Sequence, residues 1–192
     1  MRKLLIAVIF LGLLPAVASA TAQAPDVIHY EGKKYMLFTN PLESYFKKDE
    51  RPKFQIGPGS MSTANWRGYV ATWKVEDDTL YLVGLDSWIC KDLGPENCKR
   101  ADLKELFGEK YVDGKVKADW FTGDLRLPDG ERLRYVHMGY GSIYERDIML
   151  GVAAGRITGR QVIDNTGKKH PAPLDLERQE LEKMKPKEKG DN

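Results

Sequence analysis

Two stretches of the chain concentrate residue types that can move protons or grip a ligand. The first is Ala118-Asp119-Trp120-Phe121-Thr122-Gly123, where an acid sits beside two aromatics. The second runs from His137 through Tyr140, Ser142, Tyr144 and Glu145 to Asp147. If the two stretches neighbour one another, Asp119, His137, Tyr140 and Glu145 converge on a cleft. Two carboxylates across a cleft suit general acid–base hydrolysis of a glycan, one protonating the leaving oxygen while the other activates water or attacks. Asp119, Glu145 and His137 are therefore the candidate catalytic residues. Trp120, Tyr140 and Tyr144 are the candidate ligand-binding residues, because aromatic rings offer rigid contact area with a polar tip. A plainer reading stands beside this one. Tyr and Trp are ordinary strand residues, and Glu145 next to Arg146 and Asp147 also fits a solvated face.

Other signatures are missing. The chain has no Walker-type glycine loop, no H-E-x-x-H and no G-x-S-x-G elbow. Gly57-Pro58-Gly59-Ser60 and Gly139-Tyr140-Gly141-Ser142 are glycine loops without a following helix pattern, so they read as turns. His29, His137 and His170 are far apart, and neither a metal site nor a cofactor is expected. The two cysteines, Cys90 and Cys98, flank Gly94-Pro95, a turn that can bring them together. In an oxidising compartment such a pair reads first as a disulfide, with free thiols or a functional site as the alternatives.

The elements that must position these residues are mostly strands. Asp26-Val-Ile-His-Tyr30 and Lys34-Tyr-Met-Leu-Phe38 flank Glu31-Gly32-Lys33, a hairpin signal. From Tyr69 to Glu76, Tyr69, Ala71, Trp73 and Val75 alternate with a more polar set, the period of a half-buried strand. Asp77-Asp78 turns the chain into Thr79–Leu85, apolar on both faces and so a central strand. Ala101–Gly108 is the one helix signal in the body, with Leu103, Leu106 and Phe107 on one face and Gly108 as the stop. Later strands are read around a bulge at Phe121-Thr122-Gly123, a turn at Pro128-Asp129-Gly130 and a hairpin at Ala154-Gly155. About eight strands with one short helix predict a mainly β domain, an antiparallel barrel or strongly curved sheet.

Composition sets the compartment and the partners. Residues 1–20 read as a signal peptide: Arg2 and Lys3, an apolar run from Leu4 to Leu14, then Ala18-Ser19-Ala20 before the cut. That run is shorter than the ~20 residues that span a bilayer. Residues 21–164 form the expected β-rich domain. Residues 165–192, rich in charge and proline, read as a flexible tail, with a partner-binding helix as the alternative. The chain carries 30 basic and 28 acidic residues, and cleavage of Arg2 and Lys3 leaves 28 against 28. A neutral mature chain lacks the footprint of a nucleic-acid binder, and no stable membrane insertion is expected after cleavage.

Asn65-Trp-Arg-Gly-Tyr-Val-Ala-Thr-Trp73, Ala118-Asp-Trp-Phe-Thr-Gly123, Leu125-Arg-Leu-Pro-Asp-Gly130 and Tyr140-Gly-Ser-Ile-Tyr-Glu-Arg-Asp147 together resemble the landmarks of an uncharacterised family of small bacterial proteins. The resemblance covers most of residues 60–164 and implies no activity, cofactor or site residue. From the residues alone, the expectation is a periplasmic or secreted, non-catalytic binding protein. Trp66, Trp73, Trp88 and Trp120 are the candidate aromatic surface, and the expected partner is an envelope protein or glycan. The alternative is an envelope glycan hydrolase using paired carboxylates.

Overall fold

A computed structural model describes residues 22–60, 62–91 and 95–169. The signal-peptide reading of residues 1–20 and the tail beyond Lys169 lie outside the described residues. Among the described residues, eleven strands join one mixed sheet. They are β1 (Asp26–Tyr30), β2 (Lys33–Leu37), β3 (Phe54–Gln55), β4 (Tyr69–Glu76), β5 (Thr79–Cys90), β6 (Cys98–Arg100), β7 (Tyr111–Val112), β8 (Lys115–Lys117), β9 (Gly123–Arg134), β10 (Ile143–Ala153) and β11 (Arg156–Asp164). The main path is β2-β1-β4-β5-β11-β10-β9. The mainly β class with one short helix is as expected, whereas the count of about eight strands and the barrel are not.

The count differs because β3, β6, β7 and β8 are only two or three residues long, too short for an alternation to register. Three of them pair with β5, the central strand foreseen from its two apolar faces. The sheet is not closed. Its edges β2 and β9 meet where the Phe38 N–H donates to the Arg126 carbonyl at 2.8 Å, and the main path has no β2–β9 ladder among the described residues. Nor is the sheet wholly antiparallel, since β1 runs parallel to β4. The cause is the connection over residues 38–68, which carries the chain from β2 around to the other side of β1.

Pro128-Asp129-Gly130 is not a turn. β9 runs straight through it and pairs with β10 on both sides. The register slips twice opposite residues 143–146, and Gly130, at φ +85°, takes up the distortion. A glycine there serves a bulge as well as it serves a turn, so the local signal is ambiguous. The bulge expected at Phe121-Thr122-Gly123 is instead the short irregular link into β9 that follows a tight turn, in which the Phe121 N–H donates to the Ala118 carbonyl at 3.0 Å.

Tyr69, Ala71 and Trp73 of β4 are buried, and Val75 packs half-buried against the same core, as the alternation required. Leu80, Leu82, Leu125, Leu127 and Leu150 from β5, β9 and β10 complete its centre. The helix α1 (Leu103–Phe107) starts on Asp102, whose side chain accepts the Glu105 N–H, and stops at Gly108 with φ +55°. Asn165, read as the start of the tail, belongs to the body: it is buried and donates to the Tyr144 carbonyl and to Asp147 Oδ2.

Cys90 and Cys98 form a disulfide that closes the β5–β6 corner. Closing a loop this short stabilises the fold by roughly 2–3 kcal/mol in the chain-entropy model. The pair Cys90→Ser and Cys98→Ser is expected to lower the unfolding free energy by that amount in urea titrations. An unchanged midpoint would show that the bridge contributes nothing.

Candidate functional site

The residues that sequence reasoning grouped into one cleft are spread over the molecule. Asp119 lies in the turn after β8, half-exposed, with Lys110 Nζ at 3.5 Å. That turn touches the far end of β10, where the Gly155 N–H donates to the Phe121 carbonyl at 2.9 Å. Glu145 sits near the opposite, N-terminal end of β10. At about 3.3 Å of rise per residue the intervening strand puts the two carboxylates roughly 25 Å apart. Glycosidase carboxylates stand about 5–10 Å apart, so Asp119 and Glu145 do not form such a pair. His137 is exposed on the β9–β10 loop, with Nδ1 2.8 Å from the Tyr135 hydroxyl.

The aromatic candidates divide differently. Trp120 is structural: its indole N–H donates to the Pro41 carbonyl at 3.0 Å, and its ring packs among Tyr45, Phe107 and Trp73. Tyr140 and Tyr144 do come together, both on Phe38. Tyr140 stacks at 4.9 Å and Tyr144 meets the ring edge-on at 5.8 Å. The Tyr140 hydroxyl donates to Asn40 Oδ1 at 2.8 Å, which ties it to a buried polar network.

That network is the main polar feature of the interior. Asp26 and Arg67 are both fully buried and paired at 3.2 Å. The Asp26 carboxylate also accepts the Ala71 N–H and the Trp73 indole N–H, each at 3.1 Å. Arg67 donates to Asn40 Oδ1 and to the Ala24 carbonyl, lies over the Tyr69 ring, and leaves its Nε without an acceptor. Beside it, the Tyr69 hydroxyl donates to Glu43, which also receives Arg51. Burial raises the Tyr140 hydroxyl above the ordinary phenol value and holds the Tyr69 hydroxyl well above it.

Burial pushes the Asp26 carboxyl up to about 6, against the opposing pull of Arg67, the Ala71 N–H and the Trp73 indole. The folded state thus holds a proton more tightly than the unfolded chain. This contribution is fully present below the ordinary value of 3.8 and is lost as pH rises through about 6. The span corresponds to something on the order of 3 kcal/mol. Urea midpoints at several pH values from 4 to 7 are expected to carry a component that falls with pH, and Asp26→Asn is expected to remove it. An equal slope in the variant would contradict the assignment.

The network borders an exposed residue of the same turn. Asn65 and Arg67 are buried, at 3% and 0% exposure, and Trp66 between them is 65% exposed. The Asn65 side chain accepts the Gly68 N–H and donates to the Tyr69 carbonyl, so the turn is fixed on both sides of the indole. Facing it is β3, paired to β5 through Phe54↔Ile89 and Gln55↔Trp88. The buried Ser87 hydroxyl of β5 donates to the Gly68 carbonyl at 2.8 Å and lies 3.3 Å from the Gln55 carbonyl, linking the two walls. Between them is a groove of about 260 Å³ lined by Phe54, Gln55, Ser60, Ser62, Thr63 and Trp66, with Asn65 and Gly68 beneath. Gln55 is buried, and its Oε1 has no hydrogen-bond partner.

No protein-family model, curated protein or solved structure matches the chain. The site therefore rests on geometry alone. Among the described residues, no group of three His, Cys, Asp or Glu side chains is placed to hold a metal ion, and no helix is long and apolar enough to cross a membrane.

Sequence reasoning named Trp66 only as one of four tryptophans and read Gly57–Ser60 only as a turn. The turn is real, with the Ser60 N–H donating to the Gly57 carbonyl at 2.9 Å, and it forms the rim of the groove. Gln55 carried no signal, because one glutamine in an irregular stretch says nothing of its burial.

Proposed function

We propose that the chain is an exported, non-catalytic binding protein of the periplasm or cell exterior, and that its ligand sits in the groove beside Trp66. The observation that carries this reading is an indole held out to solvent between buried neighbours, beside a groove also lined by the buried Gln55, whose Oε1 has no partner. Binding sites are typically concavities with aromatic walls and a few polar groups, and aromatic residues are enriched among those that carry binding energy. The site also lies on the irregular connection between β2 and β4, the kind of segment a rigid sheet presents for recognition. Export is supported by the leader-like residues 1–20 and fits the disulfide, which persists in oxidising compartments. The distance between Asp119 and Glu145 leaves the hydrolase alternative without its paired carboxylates.

Two measurements test the proposal. N-terminal sequencing of the protein recovered from a bacterial periplasm is expected to begin at Thr21, and an intact Met1 would contradict export. Amide spectra of the labelled protein, recorded with fractionated envelope extract, are expected to shift over residues 54–68. Shifts confined to the surroundings of Asp119 or Glu145, or release of new reducing ends from a glycan, would contradict the binding reading.

A further inference from the structure

The chemistry of the groove narrows what it can hold. None of the residues that line it carries a charge. A phosphate, a carboxylate or a polycation would give up its hydration there without gaining a counter-charge, which is unfavourable in any partly desolvated site. A purely apolar ligand would match the Phe54 and Trp66 faces, but it would cover the hydroxyls of Ser60, Ser62 and Thr63 and leave Gln55 Oε1 as unpartnered as before. What suits the groove is a neutral ligand with an apolar face and a rim of hydroxyl groups.

We infer that the groove binds a neutral saccharide, one sugar ring stacked on the Trp66 indole and its hydroxyls held by the Gln55 amide and by Ser60, Ser62 and Thr63. The inference rests on the binding reading above and adds the ligand class. A pyranose ring presents C–H groups on its flat face, which match the electron-rich face of an indole, and O–H groups around its edge, which both donate and accept. The volume suits one ring rather than a large ligand, since pockets for drug-sized molecules run about 300–1,000 Å³. The terminal torsion of glutamine is broad, so the Gln55 amide can turn its oxygen toward a bound hydroxyl. Asn65 and Arg67 already fix the backbone that carries Trp66, so only the two torsions of the indole are left to order on binding.

Gln55 makes the inference sharp. A buried amide oxygen without a partner costs the free protein stability. Gln55→Leu is therefore expected to raise the melting temperature and to weaken saccharide binding at least tenfold. A residue kept for packing alone would move only the first. The test is calorimetric titration of the purified exported chain with cellohexaose, maltohexaose, mannohexaose and the N-acetylglucosamine hexamer, up to about 10 mM to catch weak single-ring contacts. Hexagalacturonate and an uncharged hexapeptide complete the panel. One neutral hexasaccharide is expected to bind. Trp66→Ala should reduce that affinity at least tenfold at an unchanged melting temperature, and Trp66→Tyr should restore part of it.

If no neutral sugar binds, the saccharide inference is overturned. Binding of hexagalacturonate or the peptide at residues 54–68 would then leave the broader binding reading standing. Neutral-sugar binding that Trp66→Ala and Gln55→Leu leave unchanged would overturn the assignment to this groove.

Discussion

Arg67→Ala is expected to destabilise the protein at pH 7 by about 3–5 kcal/mol, the usual cost of removing one partner of a buried ion pair. The substitution leaves the Asp26 carboxylate fully enclosed with only the Ala71 and Trp73 N–H groups to satisfy it. It also leaves the Ala24 carbonyl and Asn40 without their guanidinium donor. Because Asp26 can take up a proton, the loss should be smaller near pH 5 than at pH 7. Asp26→Asn combined with Arg67→Ala should cost less than the sum of those two single changes, as expected for groups in direct contact. Urea unfolding of the three variants at both pH values measures this. A loss below about 1 kcal/mol, or strict additivity, would show that the pair does not hold the Trp66 turn. The same variants bear on the groove, since Arg67 adjoins Trp66 in the chain and anchors that turn to β1.

Gly68→Ala is expected to cost more than about 3 kcal/mol or to prevent folding, through both strain and overlap. Gly68 has φ +78°, and a Cβ added there would lie 2.0 Å from the Phe54 carbonyl oxygen and 2.4 Å from its carbon. Both are backbone atoms of the facing wall, so no side chain can swing aside. Gly32, at φ +74° in the β1–β2 hairpin, is the control, with open space where its Cβ would go. Gly32→Ala should cost only the backbone strain, about 1–3 kcal/mol. Thermal melts of the two variants compare them directly, and equal losses would mean that the Phe54–Gly68 approach is not tight.

Regular segments of this chain were legible and the irregular ones were not, for a physical reason. The alternation in β4 is imposed by one buried face, and it placed Tyr69, Ala71 and Trp73 correctly. The apolar run of β5 marked the central strand because both its faces are covered, and Gly108 marked the end of α1, while the Asp102 cap at its start was not singled out. Pro128-Asp129-Gly130 misled because the same residues suit a turn and a bulge. The open edges and the parallel β1–β4 pair are set by where the 38–68 connection travels, and no local period encodes that path. The groove lies on that same connection. Arg67 and Asp26 read as surface residues by type, and only the tertiary arrangement shows that both are buried and paired. Of the residues first singled out, Tyr140 and Tyr144 meet on Phe38, and Asp119 and Glu145 are parted by the length of β10.

The account turns on Trp66 being the one indole that meets a ligand. The most direct measurement follows the indole N–H signals of the labelled protein during titration with the neutral hexasaccharides, with Trp66 identified by its loss in Trp66→Phe. Trp73 and Trp120 already donate to Asp26 and to the Pro41 carbonyl, and serve as internal references. The expected result is a saturable shift of the Trp66 signal and of the Gln55 side-chain amide, with the Trp73 and Trp120 signals unmoved. A saturating ligand that shifts other residues and leaves Trp66 and Gln55 in place would contradict the account.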